Sequence, residues 1–369
     1  MTSSKRIIQI GDVHLGLATN PAPNIIDNIR KYIHPVIAKG KIDVFIIGGD
    51  LFERLLFYND PHIDAISLWI AEIITLCQRT DTELIVLEGT PLHDRKQSKA
   101  LATTHALLGF TDGFKYITEL SIEYNQKLGK YVLYVPDVIR NSADTTLADV
   151  KTMLAARGIS RVDIAIMHGA FDHQLVADKH THSAEEYSQL VKDIIIVNHV
   201  HNFSHQGKIV APGSFDYTDH SNTGQVGGVL VEIGSHIKVS RIINKSPMPF
   251  MTYTLTDDNH EFIARAIDEL ISKYPELCPN IRLTTVLNAQ SKAFYASMKK
   301  DYPFVKWTIK AIHDELTEKK EVEVLHEYVS VEITEDNIES ILADKLSRNN
   351  VDKPLQSRLF DLLKEYRYG

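Results

Sequence analysis

Six aspartates and histidines stand at or just beyond the ends of apolar runs: Asp12, His14, Asp50, His168, His199 and His201. Asp12 and His14 follow Arg6-Ile7-Ile8-Gln9-Ile10, and Asp50 follows Val44-Phe45-Ile46-Ile47. His168 closes Ile164-Ala165-Ile166-Met167, and His199 and His201 follow Ile194-Ile195-Ile196-Val197. Short apolar runs bounded by turn signals read as buried strands. In open α/β sheets, ligands bind beyond the carboxyl ends of strands, so four such ends can converge on one point at a sheet edge. A mixture of imidazole and carboxylate suits manganese, iron or zinc, whereas calcium and magnesium favour all-oxygen shells. The pattern commits the chain to an α/β fold with a metal centre.

A chain of 369 residues exceeds the size of a single core, which predicts two domains and a terminal appendage. The apolar content of 44% is that of an ordinary globular protein. A net charge of −8 excludes a generally basic coat for nucleic acid, so any DNA contact must come from local patches and from the metals. The two cysteines, Cys77 and Cys278, lie far apart and argue against thiolate zinc and for a reducing compartment. The N-terminus leads straight into a strand without a signal-peptide core, and no apolar stretch is long enough to span a bilayer. A cytoplasmic protein without membrane contact is expected.

Apolar runs alternate with helical patterns as far as about Lys192, the signature of a layered α/β domain. Asp60 as N-cap, with Pro61 in the first turn, predicts a helix to Arg79. Further helices are predicted over 98–108, 145–157 and 184–191. From Gly207 to Ile243, short strands joined by Gly-rich turns read as antiparallel hairpins finishing a second sheet. Pro247 and Pro249 mark a boundary, followed by a strand–helix–strand–helix–strand pattern over 250–255, 261–273, 281–286, 292–300 and 307–311. The predicted domains are 1–246, an α+β cap over 247–333, and a helical segment over 334–369.

The series Asp12-Val13-His14, Gly49-Asp50, Gly89 to Asp94, His168-Gly169 and His199-Val200-His201, followed by Pro212-Gly213-Ser214, resembles the calcineurin-like metallophosphoesterase superfamily over the first two thirds of the chain. Gly49-Asp50-Leu51-Phe52 and the small module after the catalytic domain resemble the SbcD-type nucleases, the meiotic-recombination-eleven family and its phage counterparts. The resemblance implies an α/β/β/α sandwich and a manganese-dependent DNA exonuclease and endonuclease acting in recombination or double-strand-break repair. It implies Asp50 as a bridge between two divalent ions, with Asp12, His14 and His201 on one ion and His168 and His199 on the other. His93 resembles the histidine that protonates the leaving oxygen, and Asp94 the carboxylate that orients it; imidazole is the side chain that exchanges protons near neutral pH.

Three departures qualify this pattern. The family's Gly-Asn-His-Asp is here Gly89-Thr90-Pro91-Leu92-His93-Asp94, two residues longer and without the Asn that ligates the second metal. The Thr90 hydroxyl, a backbone carbonyl or water can fill that place, and the second site is expected to bind its ion more weakly. The longer form resembles phage-type members. Glu53 stands where many relatives have a histidine that helps hold the substrate, and Asn198 replaces a glycine before the His-X-His pair.

A lone histidine at a strand end is more often structural than a ligand, and of the 17 histidines only the ordered set escapes that reading. His173, His180 and His182, between two ligand-bearing strands, are read as structural. Lys292, Lys299, Lys300, Lys306 and Lys310, interleaved with Phe294, Tyr295, Tyr302 and Trp307, are read as a face that contacts phosphate and stacks bases. The stripe Leu355, Leu359, Leu362, Leu363 and Tyr366 is read as docking an SbcC-type coiled-coil ATPase, as relatives' C-terminal helices do. By the same resemblance, the helices after the Gly-Asp and His-Asp motifs pair two copies into a homodimer. The alternatives are a phosphatase or phosphodiesterase for small substrates on the same fold, and a non-catalytic scaffold for DNA or the ATPase.

Overall fold

The computed structural model describes residues 4–137, 142–175, 180–222 and 224–312. The chain divides into two compact units, Met1–Lys310 and Ala311–Gly369. Nearly all of the second lies outside the described residues, as do the helical segment over 334–369, its apolar stripe, His313 and His326.

The first unit contains a sandwich of two six-stranded sheets. One has parallel strands β1 (Lys5–Ile10), β2 (Val44–Ile47), β3 (Glu83–Leu87) and β4 (Phe114–Ile117), extended beyond β1 by the antiparallel hairpin β11 (Gly227–Ile233) and β12 (Ile237–Ile243). The other runs β5 (Ser121–Asn125), β6 (Lys130–Val135), β7 (Val162–His168), β8 (Val191–Asn198), β10 (Ile209–Ala211), β9 (Ser204–Gln206), and its four central strands are parallel. The sequence reading assigned the late hairpin to the second sheet. The structure places it on the first, where Lys5 to Gln9 pair with Ile233 to Val229.

Three apolar layers account for the near-continuous apolar strands, because both faces of each sheet are covered. Successive side chains on a strand point to opposite faces. Ile8 and Ile10 of β1 therefore pack outward against α1 (Ala22–Tyr32) and α3 (Ile63–Arg79), while Ile7 faces the second sheet. Ile46 and Ile85 meet Tyr134, Ile164, Ile166 and Ile196 between the sheets. On the far side, Leu133, Ala165 and Ile195 pack under Val150 and Leu154 of α5 (Ala143–Ala156) and Tyr187 of α6 (Ala184–Leu190). The result is the α/β/β/α sandwich that the motifs implied.

Two helices had no counterpart in the sequence reading, α1 and α2 (His34–Gly40). Pro21, Pro23 and Pro35 break the pattern to the eye but sit at the helix starts, where proline is tolerated. Conversely, α3 begins three residues after Asp60, because that carboxylate is held by Arg54 at 2.8 and 3.1 Å and does not cap. Ile66, Trp69, Ile70, Ile73, Ile74 and Cys77 are buried. The apolar excess on α3 and on α4 (Lys99–Leu107) reduces to Leu68, 69% exposed, and Leu107, 81% exposed, with Leu108 beside it.

Residues 250–311 form a βαβαβ module: β13 (Phe250–Thr254), α7 (His260–Lys273), β14 (Asn280–Thr285), α8 (Ala289–Asp301) and β15 (Lys306–Ala311). It has its own core, Leu255, Ile263, Ile267, Ile281, Leu283, Met298 and Val305. Phe294, Tyr295, Tyr302 and Trp307, read as base-stacking residues, pack against that core, while Lys292, Lys299, Lys300 and Lys310 stay exposed. Asp216 ties the chain entering the module to the sandwich. Its buried carboxylate accepts from Asn28 Nδ2 (2.8 Å), Asn244 Nδ2 (2.9 Å), Met248 N (2.8 Å) and Tyr217 N (2.8 Å). Asp216→Ala leaves those donors unsatisfied and is expected to cost about 3 kcal/mol, read by urea denaturation. A variant as stable as the parent would remove Asp216 from this role.

Candidate metal centre

The carboxyl ends of both sheets meet at one rim. Asp12 and His14 leave β1, Asp50 leaves β2 and the 89–94 loop leaves β3, all from the first sheet; His168 ends β7, and His199 and His201 leave β8, from the second. The loops after β1 and β2 stay paired beyond their strands, with Asp12 N on Gly49 O (3.0 Å), Val13 N and His14 N on Asp50 O (2.9 and 3.0 Å), and Leu15 N on Leu51 O (2.9 Å). Asp12, His14, Asp50 and His199 have φ of +47°, +54°, +50° and +117°. Asp and His are among the few residue types enriched at positive φ, and such backbone clusters at functional sites at a cost of about 1–3 kcal/mol each.

Three groups of side chains can each hold a metal ion: Asp12, His14 and His201; His14, Asp50 and His93; and Asp50, His168 and His199. In the first, the Nε2 atoms of His14 and His201 face each other at 3.2 Å. Their other ring nitrogens are engaged, His14 Nδ1 2.7 Å from Glu53 Oε2 and His201 Nδ1 2.9 Å from Thr218 Oγ1. Asp12 Oδ2 accepts from Asn198 Nδ2 (2.9 Å) and His199 N (3.1 Å), while Oδ1 is buried without a hydrogen-bond partner. Converging lone pairs with outward-facing nitrogens tied down are the arrangement metal-ligating histidines adopt. In the third group, His168 Nδ1 lies 2.8 Å from Gly48 O, an acceptor, so it carries the proton and Nε2 faces Asp50 Oδ2 at 3.4 Å. Asp50 belongs to two of the groups, as does His14, and of the two only the carboxylate offers two oxygen atoms. This donor set fits two divalent ions.

The electrostatics point the same way. Burial opposes the charged form of Asp50, but the adjacent His168 outweighs it and holds the carboxylate below its usual range. Burial likewise disfavours an imidazolium at His168, yet Asp50 raises its pKa. His14 is raised against burial by Glu53 and then by Asp50 and Asp12. Carboxylates that draw protons onto buried imidazoles form a field for cations, and ion binding displaces those protons because ligating histidine is neutral.

His93 and Asp94 do not interact in the way the resemblance implied. His93 Nδ1 lies 2.8 Å from the Glu53 carbonyl oxygen, and its ring meets that of His14 edge-on at 5.1 Å. The buried Asp94 carboxylate accepts from Gly89 N (2.8 Å), Asp50 N (3.0 Å) and Phe52 N (2.9 Å). Asp94 thus braces the backbone that presents Asp50, and Glu53 holds both His14 and His93. Burial pushes the Asp94 carboxyl up to about 7. His182 packs among Phe171 and Tyr187, in keeping with its structural reading.

Two supporting residues were visible only as departures from the family pattern. Glu53 supplies the carboxylate behind His14. Asn198, fully buried, spans the two sheets by donating to Asp12 Oδ2 and accepting from Gln9 Nε2 at 2.8 Å. A Cβ at Gly11 or Gly48 would lie 2.3 Å from the Asn198 side chain, so both positions must be glycine to admit it. Removing such a supporting partner typically lowers metal affinity about 10- to 100-fold. Asn198→Ala is expected to show that loss at one ion by calorimetric titration, and unchanged affinity would mean that Asp12 needs no such support.

Among the described residues, no helix is long and apolar enough to cross a membrane. No curated protein shows significant similarity to the chain. Two solved structures are similar in outline: TT1561 of Thermus thermophilus, 11% identical with a TM-score of 0.41 over 65% of this chain and 100% of that one, and another 12% identical with a TM-score of 0.39 over 65% and 99%. The sequence profile of the calcineurin-like phosphoesterases matches residues 5–237, the span that builds both sheets as far as the start of β12 and supplies every residue of the three ligand groups. The chain belongs to the calcineurin-like phosphoesterase family.

Proposed function

We propose that this phosphoesterase is a manganese-dependent DNA nuclease, cutting phosphodiesters from ends and internally, and that it works with an SbcC-type ATPase in recombination or break repair. The observation that supports this over a small-substrate phosphatase is the position of the βαβαβ module. Asn280 Nδ2 donates to Thr19 O (2.9 Å) and Lys306 Nζ to Ala18 O, on the loop that follows His14. On the other side, His220 lies 3.1 Å from Thr252 Oγ1, beside the Thr218 that holds His201. The module is built onto the loop that carries Asp12 and His14 and onto the loop after β10 that carries Thr218, the partner of His201, with exposed lysines nearby in sequence. A small ester needs no such extension, whereas a polymer extends beyond the reacting phosphate and its backbone is met by lysine.

Two divalent ions about 3.5–4 Å apart would supply an activated water and neutralise the phosphoryl oxygens. Asp12, His14 and His201 would hold one, Asp50 would lie between them, and His168 and His199 would hold the other. Manganese accords with mixed nitrogen and oxygen donors, which do not by themselves select it over iron or zinc. His93, with Nδ1 anchored on the Glu53 carbonyl and grouped with His14 and Asp50, would give a proton to the leaving oxygen.

End-labelled linear and circular DNA incubated with and without manganese tests the proposal, and hydrolysis of small phosphate esters alone would favour the phosphatase. Asp50→Asn should abolish cleavage with the fold retained. His93→Ala should slow it about 100- to 10,000-fold while metal stoichiometry stays that of the parent. Loss of an ion from that variant would make His93 a ligand instead.

The exposed Leu68 and Leu107 support pairing of two copies through α3 and α4, which would set two active sites about a two-fold axis. Sedimentation at micromolar concentration should then show a dimer that weakens in Leu68→Glu or Leu107→Glu. A strictly monomeric parent protein would leave the ATPase as the route to two-fold assembly.

A further inference from the structure

The second ligand group is short of donors. His168 and His199 belong to it alone, and Asp50 is shared with the group of His14 and His93. The residue nearest the family's missing amide is Thr90. Its N–H donates to Asp50 Oδ1 (2.6 Å), and its hydroxyl lies 3.2 Å from Asp50 Oδ2 and 3.4 Å from His168 Nε2. A threonine hydroxyl is a weaker ligand for a divalent ion than a carboxylate.

A carboxylate stands across from it. Asp137 lies two residues beyond the end of β6, which runs parallel to β7 with Val135 opposite Met167, so the chain at Asp137 has come level with the strand end that bears His168. Its N–H reaches Glu88 O at 3.3 Å, fastening this strand end to the residue before Gly89. Asp137 shares a cavity of about 210 Å³ with His168, Pro91 and His182. Burial raises the pKa of its carboxyl above the ordinary value, against the opposing influence of His168 and His199. The side chain lines the same cavity as His168 at the rim where the strand ends meet, outside the three groups whose ligand atoms already lie close together.

We infer that Asp137 is the remaining protein ligand of the second ion, with Thr90 orienting it, so that an aspartate from the second sheet takes the place of the absent amide from the first. This rests on the two-ion reading of the site. It reverses the expectation of a weakened second site, because an anionic oxygen replaces a neutral one and adds one negative charge to the shell.

Calorimetric titration of manganese into the full chain tests this independently of cleavage. The parent should bind two ions. Asp137→Ala should weaken one of them by at least about 10- to 100-fold and leave the other unchanged. Asp137→Asn should fall between, since its amide oxygen can still ligate. Both ions bound at parental affinity in Asp137→Ala would overturn the assignment, whereas a parent that binds fewer than two ions would overturn the two-ion reading itself. Should Asp137→Ala fail to fold, Asp137→Cys titrated with cadmium gives a second readout. A thiolate-to-cadmium charge-transfer band absent from the parent is expected, and cadmium bound without that band would count against Asp137.

Discussion

The bond from His168 Nδ1 on the second sheet to the Gly48 carbonyl on the first, 2.8 Å long, is the constraint on which the site depends. It helps to fix the separation of two strand edges whose broad faces are joined by non-directional packing. It also protonates one nitrogen of His168 and turns the other towards Asp50. Asn198 adds a second cross-sheet tie, from Asp12 and Gln9 on β1 to the end of β8. With those ties in place, ligands from strands far apart in sequence share one rim, and buried apolar contacts between the sheets supply the rigidity that ligand geometry requires. Glu53, Thr218 and Asp94 then orient individual groups without touching the space where ions and phosphate would meet.

The parts of this arrangement legible in the sequence were those written in local chemistry. Apolar runs gave the strands, because both sheet faces are buried, and the acids and histidines at their ends were conspicuous against them. The module's five elements were also readable, since each has its own period and Pro247 and Pro249 set it off. The helix pair at Ala22–Tyr32 and His34–Gly40 escaped notice because prolines mark its starts, and a proline inside a periodic pattern reads as a break. Pairing of β11 with β1 joins segments more than two hundred residues apart, and no local signal can say which sheet such a hairpin joins.

The site shows the same division between what residue types reveal and what only folding reveals. Ligand candidates were recognisable by type and order. Their supporting partners were not, because Glu53 and Asn198 are common residues that matter only through the contact each makes. The family resemblance implied that Asp94 orients His93, but in the longer loop it turns inward to three backbone N–H groups. In the same way, the module's aromatics were visible as types, and only packing shows that Phe294, Tyr295, Tyr302 and Trp307 are used on its core.

The positive φ angles at Asp12, His14, Asp50 and His199 carry a consequence for the thermodynamics of the whole unit. Backbone held in that region is paid for by the surrounding core, and ions that bind only the folded chain return free energy to it by mass action, about 2.7 kcal/mol per site at a hundredfold excess over Kd. If the three groups hold ions, the melting temperature of this protein would gauge their occupancy without any substrate. Two molecules with the same sequence, one loaded and one stripped by a chelator, would differ in lifetime as well as in chemistry.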